Sequence, residues 1–95
     1  MSRTSAAAPR ATYGIASTIL KYIDRHPRKT MSEIVKALGI SRMEFNVTIE
    51  CLEDPNFVRG GYYKRTDGYY FYVYRIVGEG PIENKLKYLR ETLPD

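Results

Sequence analysis

Arg42 and Asn46 stand four residues apart, so on a helix their side chains leave one face a turn apart. In a major groove the arginine fork matches the two acceptors on the edge of guanine, and the asparagine amide matches the acceptor and donor of adenine. Ser41, Met43, Val47 and Glu50 complete the surface such a helix would present, the two apolar side chains suited to a thymine methyl and the glutamate to the amino group of cytosine. Two further groups fit phosphate: Lys64 and Arg65 beside the pair Asp67 and Gly68, and Arg28 and Lys29 running into Thr30. Covalent and metal chemistry find no such pattern. His26 is the single histidine and suits a helix C-terminus, and Cys51 is the single cysteine. The chain offers no Cys/His spacing for a metal, no nucleophile beside a base and no phosphate-cradling glycine loop. The expectation is a binding protein without cofactor or metal, not an enzyme.

Charge is divided along the chain in a way that bears on the partner. The net charge is +4, yet residues 30–55 carry −3 while residues 13–29 carry +3 and residues 56–80 carry +2. The cations therefore flank the central stretch, which is compatible with a polyanionic partner. With 95 residues and 43% apolar content, the chain can build one core and no second domain. A lone cysteine and the lack of any apolar run near membrane length predict a reduced, cytoplasmic setting without a membrane partner.

Positioning the central residues falls to two short helices. Thr30 is followed three residues later by Glu33, and Ser41 three residues later by Glu44, so each helix opens on a capping box. Gly39 between them is suited to the left-handed geometry that ends a helix. Met31, Ile34, Val35 and Leu38 form a core-facing stripe in the first, and Ile40 points back into the same core from the turn. In the second, Met43, Phe45, Val47, Ile49 and Cys51 alternate as a strand would, but the cap, the preceding glycine and the unbroken length favour helix. Phe45, Ile49 and Leu52 then face the core, leaving Met43, Val47 and Cys51 as an apolar flank open to DNA, to a partner or to the last helix. An earlier helix from Thr12 to His26 carries Ile15, Ala16, Ile19, Leu20 and Ile23, and Pro27 ends it.

After the central pair, Phe57 to Thr66 and Tyr69 to Val77 read as the arms of a hairpin joined by Asp67 and Gly68 in a two-residue turn. That turn predicts Thr66 facing Tyr69, Lys64 facing Phe71 and Tyr63 facing Tyr72. One face then carries Val58, Tyr62, Phe71, Val73 and Val77 toward the core. The other carries Tyr63, Tyr70, Tyr72 and Tyr74 with Arg59 and Arg65. The tyrosine row is open to three uses: stacking single-stranded bases, a dimer face, or a solvated β surface. Pro81 opens a last helix whose Ile82, Leu86, Leu89 and Leu93 form one stripe, to be covered by the chain's own core or by a second copy. Residues 1–11, with Arg3 and Arg10, read as a flexible basic tail.

The run Met31, Ile34, Gly39, Ile40, Ser41, Phe45, Ile49 and Leu52 resembles the helix-turn-helix of winged helix transcriptional regulators such as the MarR and Lrp families, over residues 13–77. The resemblance implies an α+β fold of three helices and a two-stranded β-hairpin wing, here with an added C-terminal helix. It makes residues 12–77 a winged helix DNA-binding domain and residues 78–95 a dimerisation helix or core cover. It also implies a sequence-specific regulator of transcription that binds double-stranded DNA as a homodimer, with the helix of residues 41–53 in the major groove. Lys64 and Arg65 at the wing would reach the backbone or minor groove. A dimer or partner interface would draw on Ile82, Leu86, Leu89 and Leu93 and on Tyr70, Tyr72 and Tyr74. The alternative is a protein-interaction winged helix, an adaptor or subunit of a transcription or replication assembly, working through the tyrosine-rich hairpin.

Overall fold

Thr12 opens the first helix by accepting the Ile15 amide on its hydroxyl at 3.3 Å, and α1 runs Tyr13–Arg25 until Pro27 stops it. In the computed structural model, which describes residues 10–95, three more helices and three strands follow: β1 (Lys29–Thr30), α2 (Met31–Leu38), α3 (Arg42–Glu53), β2 (Val58–Lys64), β3 (Tyr70–Ile76) and α4 (Ile82–Thr92). The protein is an α+β chain with four helices and an antiparallel sheet in the order β1-β3-β2. No helix among the described residues is long and apolar enough to cross a membrane. Most of the expected basic tail, residues 1–9, lies outside the described residues.

Both capping boxes form. The Thr30 and Ser41 hydroxyls accept the amides of Glu33 and Glu44, whose carboxylates accept the amides of Thr30 and Ser41 in return, each at 2.9 Å. Gly39 closes α2 with φ 67° and ψ 31°, a conformation a Cβ would strain. The alternating stretch 43–51 is helical. Its buried set is Phe45, Thr48, Ile49 and Leu52, which joins Ala16, Ile19, Leu20 and Ile23 of α1, Ile34 of α2 and Val58 of β2 in one core.

The sheet departs from the expected two-stranded hairpin in two ways. First, Lys29 and Thr30 add a third strand, pairing with Tyr74 and Val73. Arg28, at φ 66°, turns the chain into that strand and donates its amide to the Tyr74 carbonyl at 3.0 Å. Second, the hairpin turn has three residues. The Gly68 amide donates to the Arg65 carbonyl at 2.8 Å and the Arg65 amide to the Tyr69 carbonyl at 2.9 Å, with Gly68 at φ 91°. This is a type I turn followed by a left-handed glycine bulge. Tyr62 therefore faces Tyr72, Tyr63 faces Phe71 and Lys64 faces Tyr70, one residue off the register that a two-residue turn imposes.

The stripe of α4 closes on the chain's own core. Leu89 is 1% exposed, and Ile82, Leu86 and Leu93 pack partly buried against the same cluster. Within the single chain the stripe therefore serves as core cover, with Leu89 fully enclosed. Lys85, also on α4, is buried with its ammonium donating to the carbonyls of Glu79 and Gly80 at 3.3 and 3.2 Å. It ties the loop before the helix to the helix itself. Replacing Leu89 by alanine should cost about 3 kcal/mol of unfolding free energy, the usual loss for a fully buried leucine. Denaturant titration checks this, and a loss below about 1 kcal/mol would mean that α4 is not part of the cooperative core.

Candidate functional site

On α3 the side chains left in solvent are those at four-residue intervals from the helix start. Arg42, Asn46 and Glu50 are exposed, and Met43 beside them is 58% exposed. Val47 and Cys51 are half-buried, and the Cys51 thiol donates to the Val47 carbonyl at 3.6 Å. The apolar flank therefore narrows to Met43. Burial, followed by the charges of Asp54 and Glu50, pushes the Cys51 thiol up and keeps it protonated at neutral pH. Ser41 is exposed at the helix start, its hydroxyl and amide both engaged in the cap. Thr30 is engaged in the same way at the start of α2.

The hairpin cations behave differently from one another. Lys64 is exposed, its ammonium 5.9 Å from the Tyr70 ring. Arg65 does not stand free at the tip. Its guanidinium makes a two-pronged pair with Glu33 at 2.7 and 3.3 Å, donates to the Arg28 carbonyl at 3.2 Å and lies 4.5 Å from the Phe71 ring. Within the chain Arg65, expected at a phosphate, clamps the hairpin to the start of α2. Lys29 is half-buried in β1, and Arg28 is exposed at the turn before it.

The one-residue shift also re-sorts the aromatic residues. Val58, Tyr74 and Ile76 turn to the core side, with the Tyr74 ring edge-on to Phe45 at 5.3 Å. Tyr72 meets Tyr74 at 5.5 Å and Tyr62 meets Tyr72 at 5.2 Å, so an edge-to-face ladder leads from α3 out along the hairpin. Tyr62 joins this row in place of Tyr63. Tyr74 is half-buried, whereas Tyr72 and Tyr70 are 44% and 65% exposed and Tyr62 is 76% exposed. Gly60 makes the ladder possible, since a Cβ there would fall 2.5 Å from the Tyr72 ring. Phe71 and Val73, expected in the core, share the opposite face with Tyr63, Arg59 and Arg75, where Val73 is buried as expected and Phe71 is half-buried. Sequence reasoning placed Arg59 and Tyr63 on one face but did not bring Arg75 to it. The signal for Arg75 was Thr66 before Asp67 and Gly68, which suits a three-residue bulged turn as well as a two-residue one.

Compared with models of protein families, with curated proteins and with solved structures, the chain finds no match in any of the three.

The Glu33 carboxyl is lowered from 4.5 to about 2, chiefly by the hydrogen bonds from the Arg65 guanidinium and then by the Thr30 amide. A lowered carboxyl adds stability above its unfolded value of 4.5 and loses it as pH falls toward about 2. Glu33→Gln should therefore lower the melting temperature by a few degrees at neutral pH, with the deficit closing on acidification across that window. Paired thermal melts of the two proteins at stepped pH check it. A deficit that persists undiminished in acid would detach the effect from this ion pair.

Proposed function

We propose that the chain is a winged helix-turn-helix protein that binds double-stranded DNA as a small transcriptional regulator in the cytoplasm. The observation that carries the reading is the α3 surface: a helix capped at its start, set one tight turn after α2, backed by the core through Phe45, Ile49 and Leu52, and bare along Arg42, Asn46 and Glu50. A helix reading bases needs its outward side chains unengaged by its own chain, and these three have no hydrogen-bond or ion-pair partner among the described residues. On this reading Arg42 addresses guanine, Asn46 adenine and Met43 a thymine methyl. Lys64 supplies the phosphate contact of the wing, and Arg65 holds the wing in place.

A second reading has its own observation. Tyr62, Tyr70 and Tyr72 expose large rings on the hairpin, a composition enriched at protein interfaces, so an adaptor role or a homodimer through this surface is its natural form. A dimer on a two-fold site would use these rings rather than Leu89.

Binding to random and enriched duplex DNA, measured across salt, separates the two. The DNA reading expects log affinity to fall linearly with log salt, and Lys64→Ala to lower that slope by about one. Arg42→Ala and Asn46→Ala should each cost about 1–3 kcal/mol on a selected site and relax its specificity. No duplex binding at low salt would remove this reading and leave the tyrosine surface as the one to pursue.

A further inference from the structure

We propose that the face of the sheet turned away from α3 carries a site for a phosphoryl group, held by Arg28, Arg59 and Arg75 above Gly61. These residues, with Tyr63, Val73 and the neighbouring Gly60 and Tyr62 of β2, line a cavity of about 430 Å³. Such a volume falls within the roughly 300–1,000 Å³ of small-molecule sites and leaves room for the group that bears the phosphate.

Three features of this face are costly or idle in a protein without an anion there. Arg59 and Arg75 are direct register partners on neighbouring strands, and like charges placed opposite each other destabilise a sheet. Arg28 reaches this face from a left-handed turn at φ 66° that the Tyr74 carbonyl and the Arg65 guanidinium hold in place. Its guanidinium is set by Tyr63, with Nη1 donating to the hydroxyl at 3.4 Å and Cζ 4.5 Å from the ring centre. No carboxylate pairs with any of the three arginines among the described residues, and residues 1–9 contain no acidic side chain. Gly61 keeps the floor bare: a Cβ there would meet nothing within 4 Å, so its absence serves no packing need of the chain.

An oxyanion answers all three. Guanidinium forks match phosphate oxygens in pairs, and a multiply charged tetrahedral group can take forks from several sides at once, which a single carboxylate does not. Phosphate of this kind comes from a small phosphorylated ligand or from a nucleic-acid backbone.

The test uses the full-length protein with inorganic pyrophosphate, against sodium chloride at matched ionic strength, and with random duplex DNA. Pyrophosphate should raise the melting temperature where chloride does not. Gly61→Val, which fills the floor, and Arg75→Gln, which removes one fork, should each weaken pyrophosphate binding about ten-fold or more. Lys21→Gln, which removes one exposed charge from α1, should leave it intact. Arg75→Gln should also raise the melting temperature of the ligand-free protein by relieving the Arg59 repulsion, so stability and binding move in opposite directions. If pyrophosphate is inert but duplex affinity falls about ten-fold in both site variants and not in Lys21→Gln, the site stands with the backbone as its phosphate source. If neither probe distinguishes the site variants from the wild type, or if Lys21→Gln matches them, the proposal is overturned.

Discussion

A three-residue turn decides what each side of the sheet can do. With Gly68 in the left-handed region and Thr66 and Asp67 before it, the arms pair so that residues of the same parity share a face. Tyr74 then reaches Phe45, Tyr72 lies over Gly60, Arg65 comes within 2.7 Å of Glu33, and Arg59 stands opposite Arg75. A two-residue turn would shift β3 by one position and exchange its whole side-chain set between faces. Tyr74 would leave Phe45, and the arginines would be divided between core and solvent. The sorting of aromatic residues to one face and cations to the other is a consequence of this register, not of the composition of either strand.

The same register lets one short segment serve three elements. Thr30 caps α2, belongs to β1 and pairs with Val73, while its capping partner Glu33 receives the fork of Arg65 from the hairpin. Helix start, sheet edge and the turn end of the hairpin are thus mutually fixed, although each contact alone is modest at a half-exposed site. This explains how Arg28 can be kept at a positive φ. Its amide is held by the Tyr74 carbonyl and its own carbonyl by Arg65, so the backbone has no relaxed alternative that keeps both bonds. Strain of this sort persists when the surroundings over-determine it.

Where local chemistry decided the outcome, the sequence was legible. The two capping boxes, the left-handed Gly39 and the stripes of α1 and α2 depend on residues within one or two turns of each other, and all are realised. The helix over 42–53 also emerged despite its alternating pattern, because its cap outweighs a period that sheet pairing never rewards. What escaped was non-local or ambiguous in type. Two residues of β1 have no periodicity to read, and their pairing depends on a strand more than forty positions away. Asp67 and Gly68 serve two turn classes, and only the contacts of Tyr74 and Arg65 discriminate between them. Lys85 reads as solvent-facing by type, yet it is buried because two loop carbonyls receive its ammonium. Thr48 similarly sits in the core with its hydroxyl unpartnered, for which the surrounding packing supplies no reason.

The two faces bear differently on the proposed DNA reading. The helix that would read bases carries Arg42 among Glu44, Glu50 and Glu53, so it brings little attraction of its own. The arginines that could supply attraction stand on the far side of the sheet from Phe45 and α3. Packed layers are about 10 Å apart, and at physiological salt charges are screened over about 8 Å, so the far arginines act only weakly on a duplex held against α3. Their concentration there is therefore not explained by major-groove binding through α3. It calls for an anion on that face, either a separate ligand or a stretch of nucleic acid that passes behind the sheet. With both faces engaged, the hairpin would stand between two phosphate-bearing partners, and Arg65, tied to Glu33 from beside the turn, would be the residue that keeps the two surfaces in a constant relation.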